Sequence, residues 1–161
     1  MAERRYLYRG KILALAIEDG RWEIVEHKDA VAVLAVESDK VLFVEQYRPA
    51  IRTVTLELPA GLIEPGETPV EAARRELMEE AGLDGELDEL FSFYSSPGFT
   101  DEKITLFEAK ELTPRRRPAD PHENLEVRWI PIDVAMDDLL TGRLVTSGPT
   151  VAGLLWLKGK R

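Results

Sequence analysis

The chain has 161 residues and no cysteine, and its 30 acidic and 21 basic side chains give a net charge of −9. This negative charge disfavours a nucleic acid as the partner, and the lack of cysteine excludes disulfides and thiol chemistry. No apolar run approaches the length of a membrane span, and the opening residues MAERR do not lead into an apolar signal segment. We therefore expect a cytoplasmic protein with no membrane partner.

Residues 1–28 predict a small antiparallel β-segment. Runs of β-forming residues cover 5–9, 11–17 and 21–26, separated by a glycine and by an Asp-Gly turn signal. Three short strands cannot bury a core of their own. We expect this segment to attach to a main domain formed by residues 29–161.

In the main domain, the pattern of strand and helix signals predicts an α+β fold, in which a mixed β-sheet is sandwiched between α-helices. A hairpin joins the runs 30–36 and 41–47 around Ser38-Asp39. The other predicted strands are 56–58, 90–94, 103–109 and 126–130, and the later helices are 132–140 and 149–157. Two polar stretches predict loops, namely 95–102, SSPGFTDE, and 115–124, RRRPADPHEN.

Residues 68–82 predict a further helix. Thr68, Pro69 and Glu71 form a capping box with proline at the first helical position, and Gly82 is placed to end the helix. The apolar stripe expected to face the core consists of Val70, Ala73, Leu77 and Ala81.

Three carboxylates follow one another on this helix. Glu76, Glu79 and Glu80 stand at i, i+3 and i+4, so they repel one another unless a cation lies between them. Mg²⁺ or Mn²⁺ suits oxygen ligands of this kind. Glu76 and Glu80 should flank the apolar stripe, with Glu79 further towards solvent and Arg75 further still. The alternative is an ordinary solvated helix with Glu71–Arg75 pairs.

The stretch 61–83 resembles the Nudix box, G-x5-E-x7-R-E-U-x-E-E-x-G-U with U apolar. The matching residues are Gly61, Glu67, Arg75, Glu76, Leu77, Glu79, Glu80, Gly82 and Leu83. The resemblance implies the Nudix fold. It also implies hydrolysis of a nucleoside diphosphate linked to another moiety, with Mg²⁺ held mainly by the box carboxylates and Mn²⁺ as a possible substitute.

Two motifs outside the box resemble the ADP-ribose pyrophosphatase branch of this family. They are the EQYRP and LELPAG runs at 45–49 and 56–61, and Pro97, which lies fifteen residues after Gly82. The branch implies hydrolysis of ADP-ribose to AMP and ribose 5-phosphate. Alternatives are another nucleoside diphosphate sugar, a flavin or dinucleotide pyrophosphate, a triphosphate sanitiser, or a non-catalytic ADP-ribose sensor. Three intact box carboxylates argue against the sensor.

The resemblance also assigns metal ligands and catalytic residues. Glu76 and Glu80 are the expected metal ligands, helped by Glu79 and the backbone carbonyl of Ala60. Arg75 is expected to orient Glu67 or Glu79. The catalytic base is expected on a loop after the box, where Glu123 matches best and Glu126 is the fallback.

Substrate contacts are expected from three segments outside the box helix. Arg48 is expected to clamp a phosphate, with Glu57 and Gly61 beside it, and Gly61 allows close backbone approach. The expected adenosine contacts are Arg21, Trp22 and Glu23, although Trp22 could equally be a core or interface residue. Pro97, Gly98 and Phe99 lie on the loop that could close over the substrate. His27 and His122 are expected to be structural.

The β-segment also predicts an oligomer. Residues 4–27 carry more apolar side chains than three short strands can bury among themselves. A second copy would cover that surface with two-fold symmetry. We expect a homodimer whose exchanged N-terminal strands help to build the partner's adenosine site.

Overall fold

The computed structural model describes residues 3–118 and 125–160. The strands are β1 Arg4–Arg9, β2 Leu13–Glu18, β3 Trp22–His27, β4 Ala30–Glu37, β5 Lys40–Arg48, β6 Thr53–Glu57, β7 Ala60–Leu62, β8 Leu83–Tyr94, β9 Lys103–Pro114 and β10 Glu126–Pro131. The helices are α1 Pro69–Glu76, continued by a π-helical turn Leu77–Ala81, α2 Ile132–Leu140 and α3 Gly148–Lys160. Within the described ranges, no helix is both long and apolar enough to cross a membrane.

The N-terminal strands form a separate antiparallel sheet in the order β1-β2-β3. The predicted Asp-Gly turn is present, with positive φ at Asp19 (51°) and Gly20 (69°). The sheet is joined to the main domain through the loop between β8 and β9. The Val25 N–H donates to the Phe99 carbonyl at 2.7 Å, and the His27 N–H donates to Asp101 Oδ1 at 2.8 Å.

The main sheet has seven strands, in the order β10-β5-β4-β9-β8, with β6 paired to β5 and β7 paired to β4. β4 and β9 run parallel and the other pairs are antiparallel, so the prediction of a mixed sheet is confirmed. Ser38 and Asp39 form the hairpin turn with φ of 48° and 61°. Short polar side chains such as these tolerate that conformation better than bulky ones do.

Helices cover both faces of the sheet. Side chains alternate along β4, so Val31 and Val33 pack against α1, and Ala32 and Leu34 pack against α2 and α3. Phe107 lies in the core between the sheet and α1. Phe43, from β5, lies in the core between the sheet and helices α2 and α3. The predicted α+β sandwich is therefore confirmed.

The start of α1 follows the prediction, but its end does not. The Thr68 side chain accepts a hydrogen bond from the Glu71 N–H, and the Glu71 side chain accepts one from the Thr68 N–H. A regular helix was expected up to Gly82, whereas residues 77–81 form a π-helical turn that closes on Gly82 at φ 69°. Val70, expected in the core stripe, is 39% exposed and lies in the first turn of α1.

The strand predictions missed the first part of β8 and the whole of the short strand β7. β8 begins at Leu83, not residue 90, and pairs with β9 along its length through two bulges. Bulges interrupt the regular alternation that identifies a strand from sequence. Ala60–Leu62, where no strand was predicted, pairs with β4.

Candidate active site

Gly61 and Glu76 are in direct contact at the centre of the site. A Cβ atom at Gly61 would lie 2.0 Å from Glu76 Oε1, so only glycine leaves room for the carboxylate there. Glu76 is 8% exposed. The absence of a side chain at Gly61 thus allows the Glu76 carboxylate to approach the β7 backbone closely.

Glu80 reaches the same backbone from the next turn. Its Oε2 accepts a hydrogen bond from the Ala60 N–H at 2.9 Å, and the residue is 8% exposed. The carboxylates of Glu76 and Glu80 therefore meet residues 60 and 61 from one side of α1. Two buried acidic groups beside one another need a cation or hydrogen-bond donors.

Arg75 holds several acidic groups of the box together. Its Nε and Nη2 each donate to Glu67 at 2.9 Å, and Nη2 also donates to the Leu62 carbonyl. Nη1 contacts Glu76 Oε1 at 2.5 Å and Glu79 Oε2 at 3.3 Å. The hydrogen bonds from Arg75 hold the pKa of Glu67 below its usual value, because they outweigh partial burial.

The prediction that Arg75 lies furthest towards solvent was wrong. Its side chain is 12% exposed, whereas that of Glu79 is 25% exposed. The helical wheel places only Cβ atoms. The long side chain folds back towards Glu67 and the Leu62 carbonyl, which a wheel cannot represent.

The box carboxylates have the right chemistry to bind a divalent cation, but the three of them are not arranged around a single site. Glu76 and Glu80 supply buried oxygen donors of the type that Mg²⁺ or Mn²⁺ prefers. Glu79 lies against Arg75 instead. In the part of the chain that the structure describes, no three His, Asp or Glu side chains are placed to hold one metal ion. The three-carboxylate site stays a prediction.

A cavity of about 700 Å³ opens beside these carboxylates. Its wall includes Gly61, Glu76 and Ala60 from the box region, and Arg48 and Glu57 from β5 and β6. The remaining wall brings together the start of α3, both sides of the loop after β8, and His27 and Ile12 from the N-terminal sheet. A cavity of this size is typical of a site for a nucleotide-sized ligand.

Arg48 and Glu57 form a bidentate pair in this cavity. Arg48 Nε and Nη2 donate to the two carboxylate oxygens of Glu57 at 2.8 and 2.9 Å, and the Thr55 hydroxyl donates to Oε1 at 2.7 Å. Burial of Glu57 is the largest single influence on its pKa and raises it, but the bonds from Arg48 and Thr55 together lower the pKa below its usual value. Arg48 remains 43% exposed, so its outer edge is accessible to a ligand.

The predicted adenosine contacts do not line this cavity. Arg21 lies in the exposed turn before β3, and Trp22 and Glu23 are the exposed first residues of β3, with the Arg21 guanidinium 4.8 Å from the centre of the Trp22 ring. Pro97, Gly98 and Phe99 also lie outside its wall, whereas the ends of their loop, Ser95 and Glu102, belong to it. Phe99 is 53% exposed.

Several cavity residues were missed from the sequence. His27, expected to be only structural, lies on the wall, with Nδ1 2.8 Å from the Lys28 carbonyl and 3.2 Å from Glu102 Oε1. Ser147 and Pro149, at the start of α3, line the opposite side. No local spacing identifies them, because only tertiary packing brings 12, 27 and 147–149 together.

Of the two candidate bases, only Glu126 lies among the described residues. Glu123 and His122 lie outside the described residues. Glu126 is exposed on β10, accepts a hydrogen bond from Arg128 Nη2 at 2.8 Å, and lines neither this cavity nor a second one on the outer side of α1.

Comparisons with known proteins agree with this fold. The NUDIX domain model matches residues 26–147. The chain belongs to the Nudix hydrolase family and is an enzyme of that family.

Relatives are similar over most of their length. An ADP-ribose pyrophosphatase of Bacillus subtilis (strain 168) is 36% identical, covering 98% of this chain and 91% of that protein. A methanol dehydrogenase activator of Bacillus methanolicus is 35% identical over 91% of this chain and 85% of that protein. The crystal structure of an ADP compounds hydrolase has a TM-score of 0.78, covering 99% of this chain and 95% of that chain, at 24% identity. The similarity to the ADP compounds hydrolase structure shows the fold alone.

Proposed function

We propose that this enzyme hydrolyses the pyrophosphate bond of ADP-ribose to AMP and ribose 5-phosphate, with Mg²⁺ as the metal. The observation that carries the proposal is the buried carboxylate of Glu76 on the wall of a cavity that also contains Arg48, with buried Glu80 bonded to the wall residue Ala60. The similarity to a protein named ADP-ribose pyrophosphatase supports the choice of substrate.

Different residues around the cavity would bind the metal ion and the phosphates of a charged diphosphate. Glu76 and Glu80 would hold the divalent cation, with the Ala60 carbonyl and Glu79 as further donors. When bound, the cation supplies neutralisation of phosphate charge and an activated water. Arg48, fixed in orientation by Glu57, presents guanidinium donors to a phosphate. Arg75 positions Glu76 through Nη1 and does not need to touch the substrate.

Proton removal from the attacking water is assigned to Glu123, with Glu126 as the alternative. A glutamate base contributes a factor of about 10² to 10⁴ in rate. Glu126 is bonded to Arg128 on a strand and would have to leave that bond to act. This favours Glu123.

We further propose that two copies form a homodimer in which each N-terminal sheet contributes to the partner's adenosine site. Leu7, Tyr8 and Trp22 on this sheet are each about half exposed, at 49, 58 and 54%. Arg21 and Glu23 lie beside this surface and away from the cavity of their own chain. Burial of such a surface against a second copy stabilises association.

A panel of diphosphates tests the proposed reaction. With purified enzyme and Mg²⁺, ADP-ribose should show a higher kcat/KM than GDP-mannose, NADH, FAD or any nucleoside triphosphate, with AMP and ribose 5-phosphate identified by mass spectrometry. The Glu80→Gln enzyme, prepared in the same way, controls for a contaminating hydrolase. A preference of about tenfold or more for another substrate, equivalent to ~1.4 kcal/mol, would overturn the assignment.

A further inference from the structure

A second cavity of about 700 Å³ lies on the outer side of α1. Its wall carries five arginines, which are Arg74, Arg75 and the three at 115–117, against three glutamates from residues 64–71. The whole chain has a net charge of −9. The wall residues themselves therefore carry two more positive than negative charges, and concavity strengthens the potential of such groups.

This cavity is separate from the proposed active site. Glu71 and Arg74 lie on one face of α1, where successive residues turn by about 100°, so Glu76 lies on roughly the opposite face. Glu80 is bonded to Ala60 on the wall of the other cavity. The two cavities have no wall residue in common.

The arginines of this cavity are not equally available to a ligand. Arg74 and Arg115 both form salt bridges with Asp84, and Arg75 forms salt bridges with Glu67 and Glu76. Within residues 3–118 and 125–160, Arg116 and Arg117 form no salt bridge. Their ten N–H donors, at five for each guanidinium, are the ones an anion could engage.

The backbone of the basic run is fixed against the end of the helix. The Arg115 N–H donates to the Gly82 carbonyl at 2.9 Å, and the Arg117 N–H donates to the Met78 carbonyl at 3.3 Å. These carbonyls belong to the negative end of the helix, which would otherwise repel an anion. With these carbonyls engaged, the negative end of the helix opposes an anion less strongly.

We propose that this outer cavity binds a small phosphate-bearing anion, such as a pyrophosphate group, through Arg116 and Arg117. A guanidinium group can bind two phosphate oxygens at once. Two adjacent arginines therefore suit a multiply charged phosphate group better than they suit a single carboxylate. The cavity is large enough for such an anion. This inference does not depend on the identity of the substrate.

Titration calorimetry of the full-length enzyme with inorganic pyrophosphate, with and without Mg²⁺, tests the proposal. The Arg116→Ala/Arg117→Ala enzyme should bind pyrophosphate at least about tenfold more weakly than wild type, because two charge-assisted contacts are lost. The control is Lys40→Ala/Lys158→Ala, which removes the same charge at two exposed sites outside both cavities. It should keep the wild-type affinity.

A third variant separates this cavity from the active site. Arg48→Ala should retain the binding that Arg116→Ala/Arg117→Ala loses. Binding that is lost in Arg48→Ala and kept in Arg116→Ala/Arg117→Ala would place the ligand in the active-site cavity and overturn the proposal. An absence of saturable binding by the wild-type enzyme, or an equal loss in the lysine control, would also overturn it.

Discussion

Gly61 lies so close to Glu76 that a methyl group at residue 61 would overlap the carboxylate, at 2.0 Å from Oε1. The backbone at Gly61 and the side chain of Glu76 thus leave no space between them for a further atom. The contact gives a physical reason for glycine at this position that needs no unusual backbone angle.

Gly61→Ala should therefore lower kcat/KM by about 10²-fold, because displacement of a catalytic group by about 1 Å costs that much. Steady-state kinetics with ADP-ribose measure the change, and circular dichroism checks that the fold is kept. Gly159→Ala is the control, since a Cβ atom there has nothing within 4 Å. Equal activity of Gly61→Ala and wild type would show that Glu76 does not need its present position.

Glu76→Gln and Glu80→Gln should each remove most of the activity and most of the affinity for Mn²⁺, while the fold remains intact. A glutamine at residue 80 can still accept the hydrogen bond from the Ala60 N–H. It lacks the negative charge that a divalent cation requires. Activity assays and Mn²⁺ binding followed by electron paramagnetic resonance give independent measurements.

The control for these variants is Glu86→Gln, which makes the same change at an exposed position on β8. It should bind Mn²⁺ and hydrolyse substrate as wild type does. If either box variant keeps near-full activity at saturating Mg²⁺, that carboxylate is not a ligand.

Glu123→Gln should lower kcat by about 10² or more with little change in substrate affinity, because a base acts on the reacting water. Glu126→Gln serves as the matched comparison and should have the smaller effect, since Glu126 is bonded to Arg128. Single-turnover kinetics separate chemistry from binding. A larger loss in Glu126→Gln would move the assignment to that residue.

The predictions that succeeded rest on local signals. The capping box at Thr68 and Glu71 and the turn at Ser38 and Asp39 depend on residues within a few positions of each other, so sequence reveals them. The π-helical turn at 77–81 gave no such signal. It depends on how the end of α1 meets the segment that begins β8.

The residues that sequence could not place depend on contacts between distant segments. His27 lies on the cavity wall because β3 leads directly into β4, while Arg48 reaches the same cavity from β5. The burial of Arg75 depends on the Leu62 carbonyl, thirteen residues earlier in the chain. A family motif identifies such residues by type, but packing decides where each side chain points.

Asp84→Asn should lower the free energy of unfolding by about 2 kcal/mol at pH 7, because charge-assisted hydrogen bonds contribute about that much. Asp84 is 6% exposed and bonds to Arg74, Arg115 and the Gly85 N–H. Burial alone would raise its pKa, but these partners together lower the pKa below its usual value. Urea denaturation measures the difference between variant and wild type.

The pH dependence follows from the lowered pKa of Asp84. Its stabilisation is present above the unfolded-state pKa of about 3.9 and is lost as the pH falls through the lower folded-state value. The difference between Asp84→Asn and wild type should therefore shrink as the pH falls below about 4. Asp88→Asn is the control on the same strand, and its exposed pair with Lys110 should contribute little to stability. A difference that stays constant between pH 7 and pH 3 would contradict this account.

The shared adenosine site predicts that two inactive chains restore activity to each other. Arg21→Ala/Trp22→Ala removes the proposed adenosine contacts, and Glu80→Gln removes a proposed metal ligand. In a mixed dimer, one site would combine the intact box of the first chain with the intact β2–β3 turn of the second. Mixing equal amounts under conditions of subunit exchange should restore up to about a quarter of wild-type activity, since half of the dimers are mixed and each has one complete site.

Light scattering at micromolar concentration must first give a dimer mass, because a monomer mass for the active enzyme would exclude a shared site. Each variant exchanged with itself provides the background rate. A chain carrying all three substitutions, mixed with Glu80→Gln, is the sharper control, because it leaves no intact box in any combination. If the complementing pair gains nothing above these controls while mass analysis confirms exchange, each adenosine site is built from a single chain. The exposed Trp22 would then need another explanation, such as an interface that does not contribute to the site.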